Sequence, residues 1–538
     1  MTRVVRKPFP TKTTLIAGPF RGMRDAPEST TMDPTLALYA GNVCANSGPQ
    51  GGGLVGRPGF AGMGTVALGS AGVRTAQAFL TWTDVYGVRQ TTGIVGGMVY
   101  SYNWNTLTWT NTVTAANLTT AAITLSTTAR TALVPFADGL VVSDGVNTPW
   151  WWSGVAGAGG LLKLANAPVF YGPMTVYYSR LVGIKLLTGR RSTIVWSEPG
   201  LPNTGYEAGG YNNAWDNPGG YAEGLTSICG TNEALYVFRE RVSIAITGAV
   251  TSDWATAGTR ANISEHIGTL SPWATLAVRQ GVLIIDAEAR PTVVHYGMSA
   301  PFAAWLDCAE TVRGTPRASL INVQSVRDDA TQSIVIGYPE VGQTDLTLFV
   351  ALASTDLQFG GVWSWGETTQ RLGAVVDGNG IARWAHSGVG DGRVYTHGDL
   401  DNGPWNDALQ SATKYIQHTV TSGTLGYDLG RELLFTVFEA AISGVGITAV
   451  TVSYATPRGE GNSVRLSFTA SGGMMWGVNK WGISKWSATT RDQRLQAGWA
   501  GRGRWVRATV RHAELNEPFG ITLMRVRASA VSGNPRDP

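Results

Sequence analysis

What this chain lacks most is charge: only 14% of its 538 residues are Asp, Glu, Lys or Arg, against roughly 25% in an average soluble domain. Few Glu/Lys pairs remain to cover helix surfaces. The 69 glycines and the frequent Thr and Val oppose helices further, through backbone entropy and restricted χ1. The composition predicts an all-β chain. Cysteine is scarce too: Cys44, Cys229 and Cys308 are odd in number and widely separated, which argues against a disulfide framework or a thiolate metal centre and suits synthesis in a reducing cytoplasm. No apolar run approaches the ~18 residues of a spanning helix. Pro8 and Pro10 interrupt the opening stretch where a secretory apolar region would lie, so neither a membrane segment nor secretion is expected.

A strong net charge is also missing. The formal balance is +4 with a pI near 8.9, short of a dedicated nucleic-acid binder. The six histidines, at 266, 295, 386, 397, 418 and 512, show no metal-binding spacing and read as surface or blade-edge residues. There is no nucleophile elbow, no phosphate loop and no strand-linked dinucleotide fingerprint. Asp286, Glu288, Asp307 and Glu310 could supply the two carboxylates of a glycosidase; among 37 acids such a pair arises easily by chance. Neither catalysis nor a cofactor or metal is expected.

What is present is β-forming material with a rhythm. Residues 74–400 repeat short runs rich in Val, Ile, Thr and aromatics, punctuated by Gly, Asn, Asp or Pro, at intervals of roughly 40 to 55 residues, the size of four-stranded propeller blades. Six or seven such units fit, with an insertion at 199–221. Asp138-Gly139, Asp144-Gly145 and Asp377-Gly378 read as hairpin turns. The 20 tryptophans, among them Trp150–Trp152, Trp476, Trp481 and Trp486, read as core and contact residues in preference to sugar-stacking platforms. Residues 1–73 are a basic, Pro- and Gly-rich extended arm, with a short turn or helix around Asp33–Gly41 signalled by Thr31, Asp33 and Pro34. Turn formers at 397–407 close the body, and residues 401–538 alternate as a β-sandwich. Its arginines, notably Arg502, Arg504, Arg507 and Arg511, could meet an acidic partner or passing DNA, or simply face solvent from alternate strand positions.

One resemblance covers most of the chain. The opening GPFRGMRDAPESTTMDPTLALYAGNVCANSGPQGGGLVGRPGF resembles the start of bacteriophage tail propeller proteins, the stabilisation, tail-hub or tail-nozzle proteins of short-tailed phages. Its elements are Arg24-Asp25-Ala26-Pro27, then Asn42, then the loop ending in Arg57-Pro58-Gly59-Phe60. SRLVGIKLLTGRRSTIVWSEPGLPNTGY, EALYVFRERVSIAITG and the C-terminal GRGRWVRATVRHAEL continue the likeness. The resemblance implies an all-β body with an N-terminal arm whose Arg24, Asp25, Pro27, Asn42, Arg57, Pro58, Gly59 and Phe60 serve docking. It implies a homo-oligomeric ring, usually of six copies, in the virion tail or head-to-tail junction, beside adaptor, portal or fibre proteins. DNA would pass its channel without sequence reading. The alternative reading is a glycan-cleaving or glycan-binding propeller, a sialidase-like depolymerase or a lectin-like receptor binder.

Overall fold

The computed structural model describes residues 13–530 except 18–21, 24–35, 47–52, 188–190, 209–210, 249, 252–253, 297–301, 306–311, 313–314, 341, 356, 358, 364–367, 399–405, 409–412, 427–431, 445, 462, 471–492 and 514–518. Apart from short helical turns it is built from strands, most of them paired antiparallel. The body is a seven-bladed propeller. Blades 1 to 6 occupy 76–113, 132–163, 170–216, 225–264, 276–305 and 324–363 in chain order. Blade 7 takes three strands from 369–397, and its outermost strand is Phe60–Gly62, paired antiparallel with Val394–His397. The ring is therefore fastened by a segment more than three hundred residues upstream.

The first strands of successive blades meet around the axis and are stitched by polar side chains. Gln77 of blade 1 donates to the carbonyls of Ser126 and Ala129 at the entry to blade 2. The Thr175 hydroxyl accepts from Gly230 N, Ser227 bonds Thr275 at 2.7 Å, and Ser271 donates to Val323 O. Gln324 Oε1 accepts from Leu372 N. Closure follows where Gln370 accepts from Ala76 N and Thr81 from Val376 N, with Ala374 bridged in parallel to Leu80. Apart from the hydroxyl pair Ser227–Thr275, these side-chain stitches satisfy backbone groups that the sheets leave unpaired where blades splay.

Between blades lie the apolar clusters that the β-rich runs supply. Trp82, Val142, Trp150 and Trp152 pack between blades 1 and 2, Trp196, Ile228, Ile244 and Trp254 between blades 3 and 4, and Phe60, Trp363, Leu372 and Trp384 between blades 6 and 7. Trp150, Trp152, Trp196, Trp254, Trp363 and Trp384 are fully buried; each would cost about 3–5 kcal/mol if cut to alanine. Trp150–Trp152 are thus packing residues, with Trp151 Nε1 donating to Phe136 O. Trp476, Trp481 and Trp486 lie outside the described residues.

Residues 13–56 and 418–530 form a second body, a sandwich of two sheets. In one sheet Leu36–Gly41, His418–Ser422, Arg507–His512, Gly446–Thr456 and Val464–Ala470 are neighbours. In the other, Val43–Asn46, Gly53–Gly56, Phe519–Ala530, Leu433–Gly444 and Gln493–Gly503 are neighbours, and Thr13–Ala17 also lies on Phe519–Ala530. Leu15, Ala37, Ala40, Phe438, Val450, Val510 and Met524 fill the space between. The described strands of the N-terminal arm lie on the chain's own sandwich, where Leu15, Ala17, Ala37 and Leu54 find apolar cover. Leu36–Gly41 is a strand and no helix, because pairing with His418–Ser422 buries Ala37 and Ala40.

Two hairpin details also depart from expectation. The tip after Phe136 is centred on Ala137-Asp138, both at positive φ (54° and 56°), one residue earlier than Asp138-Gly139. Gly139 instead pairs with Phe136, and a Cβ there would lie 2.3 Å from the Trp151 indole.

Candidate functional site

Five of the residues that carry the resemblance, Asn42 and Arg57-Pro58-Gly59-Phe60, converge on one buried knot. Asn42 sits at φ 55°, a left-handed conformation that asparagine tolerates well. Its amide donates to Gln417 O at 2.9 Å, and its Oδ1 accepts from Arg57 Nε at 3.0 Å. Arg57 then grips Asp407 with both terminal nitrogens, at 2.8 and 2.6 Å. The two side chains are 0% and 3% exposed. A bidentate, fully desolvated pair of this kind holds its geometry tightly. Next in sequence, Phe60 is completely buried against Trp384 and Tyr395, and Gly59 O accepts from Gly398 N.

Asn42, Arg57 and Phe60 are buried within this chain and close it upon itself, since a guanidinium with five donors is best satisfied where a carboxylate is fixed beside it. Pro58 accepts from Arg57 within the same knot. Arg24, Asp25 and Pro27 lie outside the described residues.

Around the knot stand four buried histidines. His386, His397, His418 and His512 are each 1–2% exposed, which corrects their reading as surface or blade-edge residues. His397 stacks on Trp384 with centroids 3.6 Å apart, and His386 receives the edge of Phe60. His418 and His512 face each other across paired strands, Nδ1 to Nδ1 at 3.3 Å. At that distance one ring donates and the other accepts, so both cannot be cationic. Burial, and then the Arg57 charge, pushes His386 down to about 3, and burial pushes His512 down to about 4. Burial and neighbouring positive charge also hold His397 and His418 well below the ordinary imidazole value. Gly56 is required beside them, because a Cβ would fall 2.5 Å from His418 Nε2.

The acids considered for catalysis are engaged elsewhere. Asp286 is buried, and it accepts from Glu288 N and Arg290 N at 2.8 and 2.9 Å and from Arg290 Nε at 2.8 Å. Asp84 and Asp377 repeat this hairpin bond for bond: each accepts from the amides two and four residues later, then from Gln90 Nε2 or Arg383 Nε. Asp144 likewise gathers four donors from Ser126, Val146 and Asn147. Glu288 points to solvent with Arg290 beside it. Asp307 and Glu310 lie outside the described residues. Among the described residues, no group of three or more His, Cys, Asp or Glu is placed to hold a metal ion. A shallow groove of about 520 Å³ lies between Trp104, Asp377, Arg383 and His397; the carboxylate in its wall, Asp377, is the turn acid already bonded to Arg383.

The candidate basic residues divide between two surfaces. Arg507 and Arg511 alternate with buried Ala508, Val510 and His512 on one sheet, whereas Arg502 leaves the strand Gln493–Gly503 of the other. Arg502 bonds Glu432, Arg507 bonds Thr424, and Arg504 and Arg511 are exposed.

No helix among the described residues is long and apolar enough to cross a membrane. No family model matches the chain, and neither does any curated protein. Among solved structures it is similar to the extracellular domain of a Bacteroides thetaiotaomicron protein described as a hybrid two component system, with 12% identity, 64% of this chain covered and a TM-score of 0.38. The chain spans 40% of that domain. It is also similar to an exo-beta-1,3-galactanase from Phanerochaete chrysosporium solved with galactose, with 10% identity, 87% of this chain and 100% of that one covered, and a TM-score of 0.25. Likenesses this distant carry no argument about function.

Proposed function

We propose that this chain is a non-enzymatic structural component of a bacteriophage particle, a subunit of a ring in the tail or head-to-tail junction that extends and stabilises the DNA channel. The observation that carries the reading is the buried knot: the loop ending in Arg57-Pro58-Gly59-Phe60, the part of the chain most like the phage tail propellers, fastens propeller to sandwich through Asn42, Arg57 and Asp407. A motif used for closure fits a rigid building block. The turn duty of Asp84, Asp144, Asp286 and Asp377 supports it further, because a carboxylate saturated by backbone donors is a poor general acid or base.

Rings arise when one surface meets a different surface of the next copy and the rotation closes. Arg504 and Arg511 and the insertion at 199–221 are then available for sister copies, adaptor or portal proteins and fibres, and DNA passes without sequence reading. Sedimentation and negative-stain imaging of the purified chain, alone and with its particle partners, test this. A closed ring with no turnover on a panel of host glycans is expected. A monomer with every partner, or glycan cleavage abolished by replacing one carboxylate pair, would overturn it.

A further inference from the structure

At the axial mouth of the propeller, where the first strands of blades 2, 3, 5 and 6 begin, a cavity of about 190 Å³ is lined by Arg130, Ser143, Tyr171, Trp273, Ile321 and two glycines, among others. Arg130 stands just before blade 2, with its guanidinium carbon 3.9 Å from the centroid of the Trp273 ring that blade 5 sends across the axis. An indole face attracts a cation without taking up its N–H donors. No carboxylate or carbonyl among the described residues accepts a hydrogen bond from Arg130, and the Arg371 cation acts on it through space. Burial and that like charge both push its pKa down.

Elsewhere in this chain inward arginines are given acceptors: Arg57 has Asp407, Arg180 has Ser197 O, and Arg239 has Asn217 and Pro218 O. Arg130 instead lines a cavity, with the Trp273 ring against its guanidinium. A second group there also lacks a partner. Ser143 is 2% exposed, and its hydroxyl makes no hydrogen bond among the described residues although it lines the same space. A buried hydroxyl left unpaired costs about 1–3 kcal/mol, so this hydroxyl and the half-buried Arg130 guanidinium on one cavity point to something that satisfies both. The acid in the wall, Asp144, is spoken for by its four turn donors. Arg191, over the Tyr171 ring at 4.4 Å, adds positive charge near the rim.

We propose that this axial cavity binds a small oxyanion-bearing ligand, its carboxylate or phosphate group held by the Arg130 guanidinium and the Ser143 hydroxyl, with the body of the ligand against Tyr171 and Trp273. A planar guanidinium matches either oxyanion with two parallel N–H bonds, and the small cavity admits one ring or one tetrahedral group. The site is independent of the ring-forming role: a tail subunit with it would carry an acidic small molecule or sugar end on its axis.

The test is calorimetric titration of the intact chain, read alongside Trp273 fluorescence, with three probes: glucuronate, glucose and inorganic phosphate. Glucuronate or phosphate should bind, and glucose should not. Binding of glucuronate alone identifies an acidic sugar, and binding of phosphate identifies a phosphoryl group. Arg130→Gln should weaken the bound anion at least about tenfold, and Ser143→Ala by a smaller factor of about three to ten, as charged and neutral hydrogen bonds differ. Arg130→Lys keeps the charge and should retain part of the affinity, which separates loss of the site from loss of the fold. Failure of both anions to bind, glucose binding as well as glucuronate, or affinity unchanged in Arg130→Gln would each overturn the proposal.

Discussion

Acidification should unfold this protein far above the pH at which its carboxylates protonate. His386, His397, His418 and His512 are neutral in the fold because burial excludes the imidazolium, with two of them held down to about 3 and about 4. In the unfolded chain each returns to an ordinary value near 6.5. Their folded values are depressed, so the unfolded state takes up protons first and stability falls as pH drops below about 6.5. At pH 5 the preference for the unfolded state amounts to about 2 kcal/mol for each of His386 and His512, with His397 and His418 acting in the same direction, against a total stability of about 5–15 kcal/mol for a typical domain.

One group opposes this. Burial raises Asp328 to about 7, so it holds its proton in the fold and favours the folded state as pH falls from 7 to 5, by about 2 kcal/mol. Asp144 and Asp377 have lowered values and act only below about 4. The histidines therefore win across the window from 6.5 to 5. Urea denaturation at pH 7.5 and 5.0, followed by near-ultraviolet circular dichroism, should show a midpoint that collapses at the lower pH, and histidine-to-asparagine changes at 386 and 512 should flatten the dependence. Equal or greater stability at pH 5.0 would refute the reasoning.

Other consequences follow from single contacts. Asp407→Ala leaves the Arg57 cation buried without its partner and should cost about 3–5 kcal/mol in urea, while Arg57→Leu with Asp407→Leu should recover most of the loss. Asp328→Asn removes the group that ionises unwillingly near neutrality, so it should stabilise the protein by about 4 kcal/mol at pH 8 and by far less at pH 5, read from the same denaturation curves. Gly183→Ala would place a methyl 2.3 Å from the fully buried Phe170 ring and should lower stability by about 1–3 kcal/mol, measured as a shift in Tm.

The blades were legible because each strand alternates or runs apolar between turn formers, and the expected interval of roughly 40 to 55 residues matches blades such as 170–216 and 225–264. The count of seven was not fixed, because blade 7 borrows Phe60–Gly62, a strand of three residues whose partner lies more than three hundred residues away. Local patterning holds no trace of such pairing. The same holds for Leu36–Gly41, where the start signals at Asp33 and Pro34 favoured a helix and long-range burial decided otherwise.

The histidines were misread although a signal existed. Val506, Ala508, Val510 and His512 share one strand face, and the first three are plainly inward; period-two reasoning extended by one step places His512 inside. The repeated Asp hairpin at 84, 286 and 377 was also readable, as an aspartate followed three residues later by Gly or Ala, and it would have removed Asp286 from any catalytic pair. Arg130 had no comparable signal. Its isolation arises only when blades 2 and 5 meet across the axis.

The central claim is that this folded chain is a ring subunit on the DNA path of a phage. Electron cryomicroscopy of the particle, with this chain fitted as a propeller joined to its sandwich, tests it most directly. The account predicts several copies related by rotation about the tail axis, with the Arg57–Asp407 knot inside each subunit. Density for the chain away from that axis, or a particle complete without it, would contradict the account.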